Sequence, residues 1–165
     1  MPIALLDATL LSNFAQVRRP DLLRESFGPD AATTPAVMAE LHTGEALGLV
    51  PTCDWSWLQM LELTQDERKL AADLARQLDP GEAECLAAAL ARHGRFLSDD
   101  FAARRLAVLQ GVVVSGTLGV LAKLVETGLL ALGEADELLR GMIDRGYRSP
   151  VRSLKNLHPD EHCGE

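Results

Sequence analysis

The sequence predicts a single α/β domain in which helices cover the faces of a parallel sheet. Short apolar runs, typical of buried strands, alternate with segments of helical periodicity, and this alternation is the pattern of a parallel sheet. The 165 residues suit one compact domain, and neither an internal repeat nor a low-complexity linker divides them. Aromatic residues make up only 4% of a chain that is 47% hydrophobic, so aliphatic side chains must fill the core.

The elements of the first half follow from apolar spacing and from proline and glycine positions. An apolar run ends at Asp7, which is typical of a buried strand followed by a helix start. Thr34 followed by Pro35 favours the beginning of a helix. The predicted elements are a strand at 3–6, a helix carrying Leu10, Leu11 and Phe14, a helix carrying Leu22, Leu23 and Phe27 that ends near Gly28, a helix from Thr34 to Gly44, and a short strand or irregular connection over 48–63.

The second half alternates more regularly. Thr64 and Glu67 have the spacing of a capping box, in which a side chain and the backbone of the first helical turn bond each other reciprocally. Gly128 is a typical C-terminal stop for the apolar helix before it. The predicted elements are helices over 64–78 and 79–94, a strand at 95–98, a helix over 101–109, a strand at 112–115, and helices over 117–127 and 134–145. The tail after Gly146 has a mixed pattern.

The composition favours a cytoplasmic protein. No apolar run reaches the roughly 18 uncharged residues of a membrane span, and no basic region precedes the short apolar stretch at the N-terminus. The three cysteines, Cys53, Cys85 and Cys163, form neither a C-x-x-C pair nor a disulfide framework. A zinc site built from Cys163 with His158 and His162 is disfavoured, because the nearby chain end favours a flexible tail.

The net charge of −8 limits the ways in which the chain can bind a nucleic acid, because phosphate contacts normally come from a basic surface. Two explanations stay open. A bound metal ion would neutralise part of a concentrated acidic site and leave local arginine clusters to touch the phosphates. Alternatively, the acidic surface faces a basic protein partner, and no nucleic acid is involved.

Four acidic signatures are the most informative feature for function. They are centred on Asp7, Glu40, Glu82 and the pair Asp99-Asp100, each beside apolar residues and at or near an element end. Ligands of open α/β sheets bind beyond the carboxyl ends of the strands, where Asp7 and the Asp99-Asp100 pair can meet if their strands are near neighbours. Gathered carboxylates need a compensating cation, and Mg²⁺ is held by one or two carboxylates with waters and phosphates. The set therefore indicates metal-assisted hydrolysis of a phosphodiester.

Each acid also has a plainer interpretation. Aspartate is a preferred helix N-cap, which would explain Asp7 and one member of the Asp99-Asp100 pair. Glu40 fits an ordinary exposed position on a helix. Glu82 is three residues after Asp79 and would close a capping box, although it shares a helical row with buried positions. Glu82 is the preferred site residue, and Glu84 is the alternative.

Several further residues are candidates for substrate contacts. Arg104 would contact a phosphate beside the cut, or form an i,i+4 ion pair with Asp100. Thr117 would bond a water of the metal, or cap the helix that follows it. A further basic group near the end of the chain is more typical of solvated surface, and its members are Arg145, Arg148, Arg152 and Lys155.

The acidic signatures occur in stretches that resemble the PIN domain nucleases, and within them the VapC-like group of bacterial proteins with a GEAE-type third motif. The matching stretches are LLDATLLSNFA, TPAVMAELHTG, LDPGEAECLAAALARHGRFLSDDFAARRLAVLQG and VVVSGTLGVLAKLVETGLL. The resemblance covers most of residues 3–130 and is most specific over 78–130.

The resemblance implies a three-layer PIN-like sandwich with a central parallel sheet, formed by residues 1–146, and a C-terminal extension over 147–165. It implies a ribonuclease that uses Mg²⁺ or Mn²⁺, acts as the toxin of a type II toxin–antitoxin pair, and forms a homodimer. The alternative is a PIN-like module that binds protein or RNA without cutting.

Carried over by motif, the resemblance gives the acids their roles. The catalytic set is Asp7, Glu40, Glu82 and Asp99, with Asp7, Asp99 and Asp100 as metal ligands and with Arg104 and Thr117 as substrate contacts. Either aspartate of the adjacent pair fits the fourth motif. Without the ion, mutual repulsion should raise the pKa of at least one carboxylate.

Overall fold

Five parallel strands form the centre of the protein. The computed structural model describes residues 2–157, and within them the strand order is β3-β2-β1-β4-β5. The strands are β1 (Ala4–Leu6), β2 (Ala31–Thr33), β3 (Gln59–Met60), β4 (Arg95–Leu97) and β5 (Val113–Ser115). Every neighbouring pair is parallel, so the carboxyl ends of all five strands lie along one edge of the sheet.

Helices flank this sheet. Over the described residues they are α1 (Ala8–Gln16), α2 (Asp21–Phe27), α3 (Pro35–Ala46), α4 (Gln65–Leu74), α5 (Pro80–Arg92), α6 (Phe101–Leu109), α7 (Thr117–Glu126) and α8 (Leu132–Asp144). Helices α3 and α4 pack against α5, whereas α2 and α8 pack against α7. The predicted α/β sandwich with a central parallel sheet is confirmed. None of the helices over residues 2–157 has the length and apolar character needed to cross a membrane.

The pairing of β1 with β4 determines where the acids that follow these strands lie. Leu6 pairs with Leu97, and the Asp7 N–H donates to the Leu97 carbonyl oxygen at 3.0 Å. The connections that follow these two strands lead to opposite sides of the sheet, because β1 is followed by β2 on one side and β4 by β5 on the other. Such a reversal of strand order is where open α/β sheets leave a crevice for a ligand.

The ion pair between Glu67 and Arg92 ties α4 to α5. Glu67 Oε1 lies 2.8 Å from Arg92 Nε, and the Glu67 side chain is almost fully buried. The guanidinium keeps the pKa of Glu67 below its ordinary value. Glu67 also completes the predicted capping box with Thr64, which is therefore confirmed. These contacts fix the position of α5, the helix that carries Glu82.

Strand β2 is absent from the sequence prediction, and the structure corrects this omission. Its sequence is Ala31-Ala32-Thr33, a run of three residues in which alanine has a low strand propensity. All three residues are buried between β1 and β3, so tertiary pairing determines the conformation. The helix predicted over 64–78 ends earlier, at Leu74, and the stretch 48–63 is mostly irregular apart from β3, as predicted.

Gly94 allows the close approach of the chain to β1. A Cβ atom at Gly94 would lie 2.7 Å from Ile3 Cγ2 and 2.9 Å from the Ile3 carbonyl oxygen, which accepts from the Arg95 N–H. We expect Gly94→Ala to lower the free energy of unfolding by roughly 1–3 kcal/mol, because the backbone must shift. Urea denaturation measures this change.

Gly133→Ala is the matched control, because a Cβ at Gly133 would meet no atom within 4 Å. Its stability should equal or slightly exceed that of the wild type, since alanine is the better helix former. Equal losses in the two variants would contradict the steric account of Gly94.

Candidate active site

Asp7 is a buried carboxylate with one unpaired oxygen. It follows β1 and caps α1, with Oδ1 accepting from the Thr9 hydroxyl at 2.7 Å and from the Leu10 N–H at 3.1 Å. Its side chain is only 1% exposed, and Oδ2 has no hydrogen-bond partner among residues 2–157. Leaving a buried polar atom unpaired costs free energy, so this oxygen needs an explanation.

The surroundings of Asp7 favour its neutral form. Burial is the largest effect and raises the pKa of Asp7 to about 7, and the negative charge of Asp99 adds to the rise. The Thr9 hydroxyl and the Leu10 N–H act in the opposite direction, as does the Ser98 hydroxyl, which lies near the carboxylate without a hydrogen bond to Oδ2. The predicted rise in a carboxylate pKa is therefore present, but desolvation rather than mutual repulsion is its main cause.

Asp99 is held by several donors at the start of α7. The Thr117 N–H donates to Oδ1 at 2.8 Å, while the Thr117 hydroxyl and the Asn13 amide, the latter at 2.9 Å, donate to Oδ2. A helix N-terminus is a favourable place for a negative charge. Burial nevertheless raises the pKa of Asp99, against the effects of these donors and of the Arg104 charge.

One hydroxyl links the two aspartates. Thr9 Oγ1 donates to Asp7 Oδ1 and accepts from the Asp99 N–H at 3.1 Å. The two carboxylates therefore share one network, although β1 and β4 are far apart in the sequence. Because β1 and β4 are neighbours, the expected meeting of Asp7 with the Asp99-Asp100 pair occurs, and Asp99 is the member linked to Asp7.

Asp100 acts as a helix cap. Its Oδ1 accepts from the Ala103 N–H at 2.8 Å, and its own N–H donates to Ser98 Oγ at 3.1 Å. The capping role weighed for the pair thus falls on Asp100, and Asp99 is free for the network around Asp7.

Glu82 has the capping role weighed for it, and its carboxyl group is partly buried. It closes a capping box, because Asp79 Oδ1 accepts from the Glu82 N–H and Glu82 Oε2 accepts from the Asp79 N–H. Burial, together with the charges of Asp79, Asp100 and Asp7, raises the pKa of Glu82 to about 8. Glu84, the alternative, instead accepts from the first free N–H of α3, that of Ala36, at 2.9 Å.

Glu40 is not part of the hydrogen-bond network of Asp7 and Asp99. It is exposed on α3, and its Oε2 is 3.3 Å from the position that a Cβ on Gly81 would take. Partial burial and the charge of Asp79 raise the pKa of Glu40. The structure thus places Glu40 beside the first turn of α5.

The donor set suits an ion held by few protein ligands. Within residues 2–157, no three side chains of His, Cys, Asp or Glu are arranged as a cage for a metal ion. Mg²⁺ does not require one, because it is commonly bound by one or two carboxylates and completes its shell with water. The unpaired Oδ2 of buried Asp7, adjacent to Asp99, fits this kind of site.

Arg104 and Gly116 form the other side of the Asp99 environment. Arg104 Nη1 donates to the Ser98 carbonyl oxygen at 3.1 Å, so the alternative ion pair with Asp100 is not the contact that the side chain makes. A Cβ at Gly116 would lie 2.5 Å from Arg104 Nη1 and 2.6 Å from Asp99 Oδ1. Glycine is therefore required here for steric reasons.

Sequence reasoning missed four residues of this network: Thr9, Asn13, Ser98 and Tyr147. Thr9 and Asn13 are four positions apart on α1 and share a polar face with Ser12 and Gln16, which was an available signal. Tyr147, the only tyrosine of the chain, lies near Asp99, and burial and that charge raise its pKa. No local pattern indicates that contact.

The structure is thus a parallel α/β domain with buried acids at the carboxyl ends of the neighbouring strands β1 and β4. The family model DUF3368, described as a PIN domain, matches residues 3–158. The chain belongs to this PIN domain family, whose members are generally nucleases and act on nucleic acids. Neither a curated protein nor a solved structure matches the chain.

The raised pKa of Asp7 predicts a pH-dependent loss of stability. The group titrates at 3.8 ordinarily and at about 7 in the fold, so the folded protein loses stability as the pH rises through this interval. An asparagine in its place would cap α1 equally well and cannot ionise. With EDTA present, Asp7→Asn should be more stable than the wild type at pH 8 by roughly 2–4 kcal/mol.

Chemical denaturation at several pH values measures this difference, which should vanish near pH 4. Asp73→Asn, at an exposed position, is the control and should show no such growth with pH. A difference between Asp7→Asn and the wild type that stays constant from pH 4 to pH 8 would contradict the burial account.

Proposed function

We propose that this protein is a metal-dependent ribonuclease that hydrolyses RNA phosphodiester bonds. The single observation that carries the proposal is the unpaired Oδ2 of Asp7, in a carboxylate that is 1% exposed and linked through Thr9 to Asp99. A buried, half-satisfied acid is costly for the fold, and a divalent cation would compensate it. Membership of a family of nucleases supports the same reaction.

Asp7 and Asp99 would hold the ion, Mg²⁺ or Mn²⁺, with Asp100 as the third candidate ligand. When bound, the ion supplies a Lewis acid that orients the scissile phosphate and activates the attacking water. Thr117 and Asn13 fix the orientation of the Asp99 carboxylate through their hydrogen bonds. Thr117 would thus act on the substrate by way of Asp99.

Glu82 would act as the general acid or base that transfers a proton during hydrolysis. Its pKa, raised to about 8, is close to the operating pH, where a general acid or base is most effective. The carboxyl lies close enough to Asp7 and Asp100 to feel their charges. Glu40, on α3 beside the first turn of α5, would assist from the outer edge of the site. Arg104, half-buried beside Asp99, would contact the phosphate next to the cut.

We further propose that the protein is the toxin of a type II toxin–antitoxin pair, acts in the cytoplasm as a homodimer, and is neutralised by a separate antitoxin. The support is the resemblance of the LDPGEAECLAAALARHGRFLSDD stretch to the VapC-like group. An acidic protein of net charge −8 is also a suitable partner for a basic antitoxin segment.

A second candidate is a PIN-like module that binds RNA or protein without cutting. It is favoured by one observation: Asp7, Asp100 and Glu82 each have a structural role as a helix cap or as part of a capping box. The two candidates differ in their response to a divalent ion, because only the ribonuclease requires one.

Removal of either central carboxylate should abolish activity. We expect Asp7→Asn and Asp99→Asn to lose Mn²⁺ binding in calorimetry and to lower RNA cleavage by at least about two orders of magnitude. Asp73→Asn, at an exposed position on α4, should retain both properties. Mn²⁺ binding that is indifferent to both substitutions, or that is absent from the wild type, would favour the binding module.

Substitution of each residue by glutamine tests whether Glu82 or Glu84 acts in catalysis. Glu82→Gln preserves the capping box, because glutamine serves at that position, but it cannot exchange the proton. We expect it to lower kcat about a hundredfold and to flatten the pH–rate profile. Glu84→Gln, which keeps the acceptor for the Ala36 N–H, should cleave as the wild type does. Equal rates in the two variants would remove Glu82 from the mechanism.

A further inference from the structure

Two clefts flank Asp99. The larger has a volume of about 440 Å³ and the smaller about 300 Å³. Three residues line both clefts, namely Asp99, Tyr147 and Arg148. Tyr147 and Arg148 therefore lie beside Asp99 in both clefts.

The larger cleft contains an aromatic ring that the core does not use. Phe101 lines it and is 77% exposed, whereas Phe14 and Phe96 are fully buried. Phe101 begins α6 immediately after Asp100. The chain has only four phenylalanines, and this one exposes its ring to solvent beside the carboxylate site.

Arg148 brings positive charge to the same place. Its side chain is exposed and has no hydrogen bond or ion pair with any residue in the described part of the chain. Arg104 adds a second cation to the larger cleft, and Arg145 adds one to the smaller. In a protein of net charge −8 these arginines make a local cationic wall around Asp99.

The segment that carries Arg148 is anchored to the domain. Asp136 on α8 accepts from the Ser153 hydroxyl at 2.8 Å and from the Leu154 N–H at 2.7 Å, and Leu154 is buried. Tyr147 is half-buried near Asp99. Residues 147–150, which belong to the predicted C-terminal extension, thus line the clefts beside Asp99 and are followed by residues bonded to α8. Residues 158–165 of that extension lie outside the described residues.

We propose that Phe101 and Arg148 form a nucleotide subsite beside Asp99, in which the ring stacks on a base and the guanidinium binds an adjacent phosphate. The subsite rests on the proposed function and adds to it the residues that position the strand. Stacking on an exposed ring requires an unpaired base, and aromatic rings next to cations are the usual means of holding single strands. Phe101 acts through the base, and Arg148 acts through charge.

Because Phe101 binds by stacking and Arg148 by charge, their substitutions should change RNA binding in different ways. The probe is a short fluorescein-labelled single-stranded RNA of mixed sequence, whose binding is followed by anisotropy in EDTA at several salt concentrations. Phe101→Ala should weaken binding about tenfold with the salt dependence unchanged, and Phe101→Trp should restore it. Arg148→Ala should weaken binding about fivefold and reduce the slope of log K against log salt by about 0.7, the share of one phosphate.

Leu109→Ala and Arg152→Ala are the matched controls, because both residues are exposed on the same elements and line neither cleft. Both should bind RNA as the wild type does. A wild type that cleaves RNA while Phe101→Ala and Arg148→Ala bind like their controls overturns the subsite and leaves the nuclease standing. A wild type that neither binds nor cleaves RNA overturns the subsite together with the proposed function.

Discussion

The site depends on the parallel pairing of β1 with β4. This pairing sets Leu6 beside Leu97 and joins the Asp7 N–H to the Leu97 carbonyl oxygen, so Asp7 and Asp99 leave the sheet side by side. The strands then diverge, with β2 and β5 on opposite sides, which leaves the crevice open above the two acids. A change of register by one residue would send the following side chains to the opposite face and separate the carboxylates.

The position of these acids at the strand ends also lowers the stability of the fold, because their carboxyl groups are buried. Desolvation raises the pKa values of Asp7 and Glu82 to about 7 and about 8, and it raises that of Asp99 too. Perturbed groups of this kind concentrate at functional sites, where stability is given up for reactivity. The network of Thr9, Asn13 and Thr117 satisfies Asp99, whereas one oxygen of Asp7 stays unpaired among the described residues. Among the oxygens of this site, Asp7 Oδ2 is therefore the one at which a bound cation would stabilise the fold most.

The sequence predicts the parts of this site that depend on local rules. Asp7 and Asp99 are found because acids at strand ends meet at one edge of a parallel sheet. Strand β2 escapes prediction because its pairing, not its propensity, determines its conformation. Tyr147 escapes as well, since its approach to Asp99 depends on how α8 and the following segment pack. Helical spacing favours Glu82 over Glu84, but it does not predict that Glu84 accepts from the Ala36 N–H, a contact that depends on the packing of α3.

The most direct measurement is the titration of the Asp7 carboxyl carbon by ¹³C NMR, with and without Mg²⁺. Without the ion, the resonance should titrate near pH 7, because the carboxylate is desolvated. Saturating Mg²⁺ should move the midpoint well below neutrality, because the cation favours the charged form. A midpoint near 3.8 would contradict the burial account, and one that Mg²⁺ leaves unchanged would contradict the claim that Asp7 holds the ion.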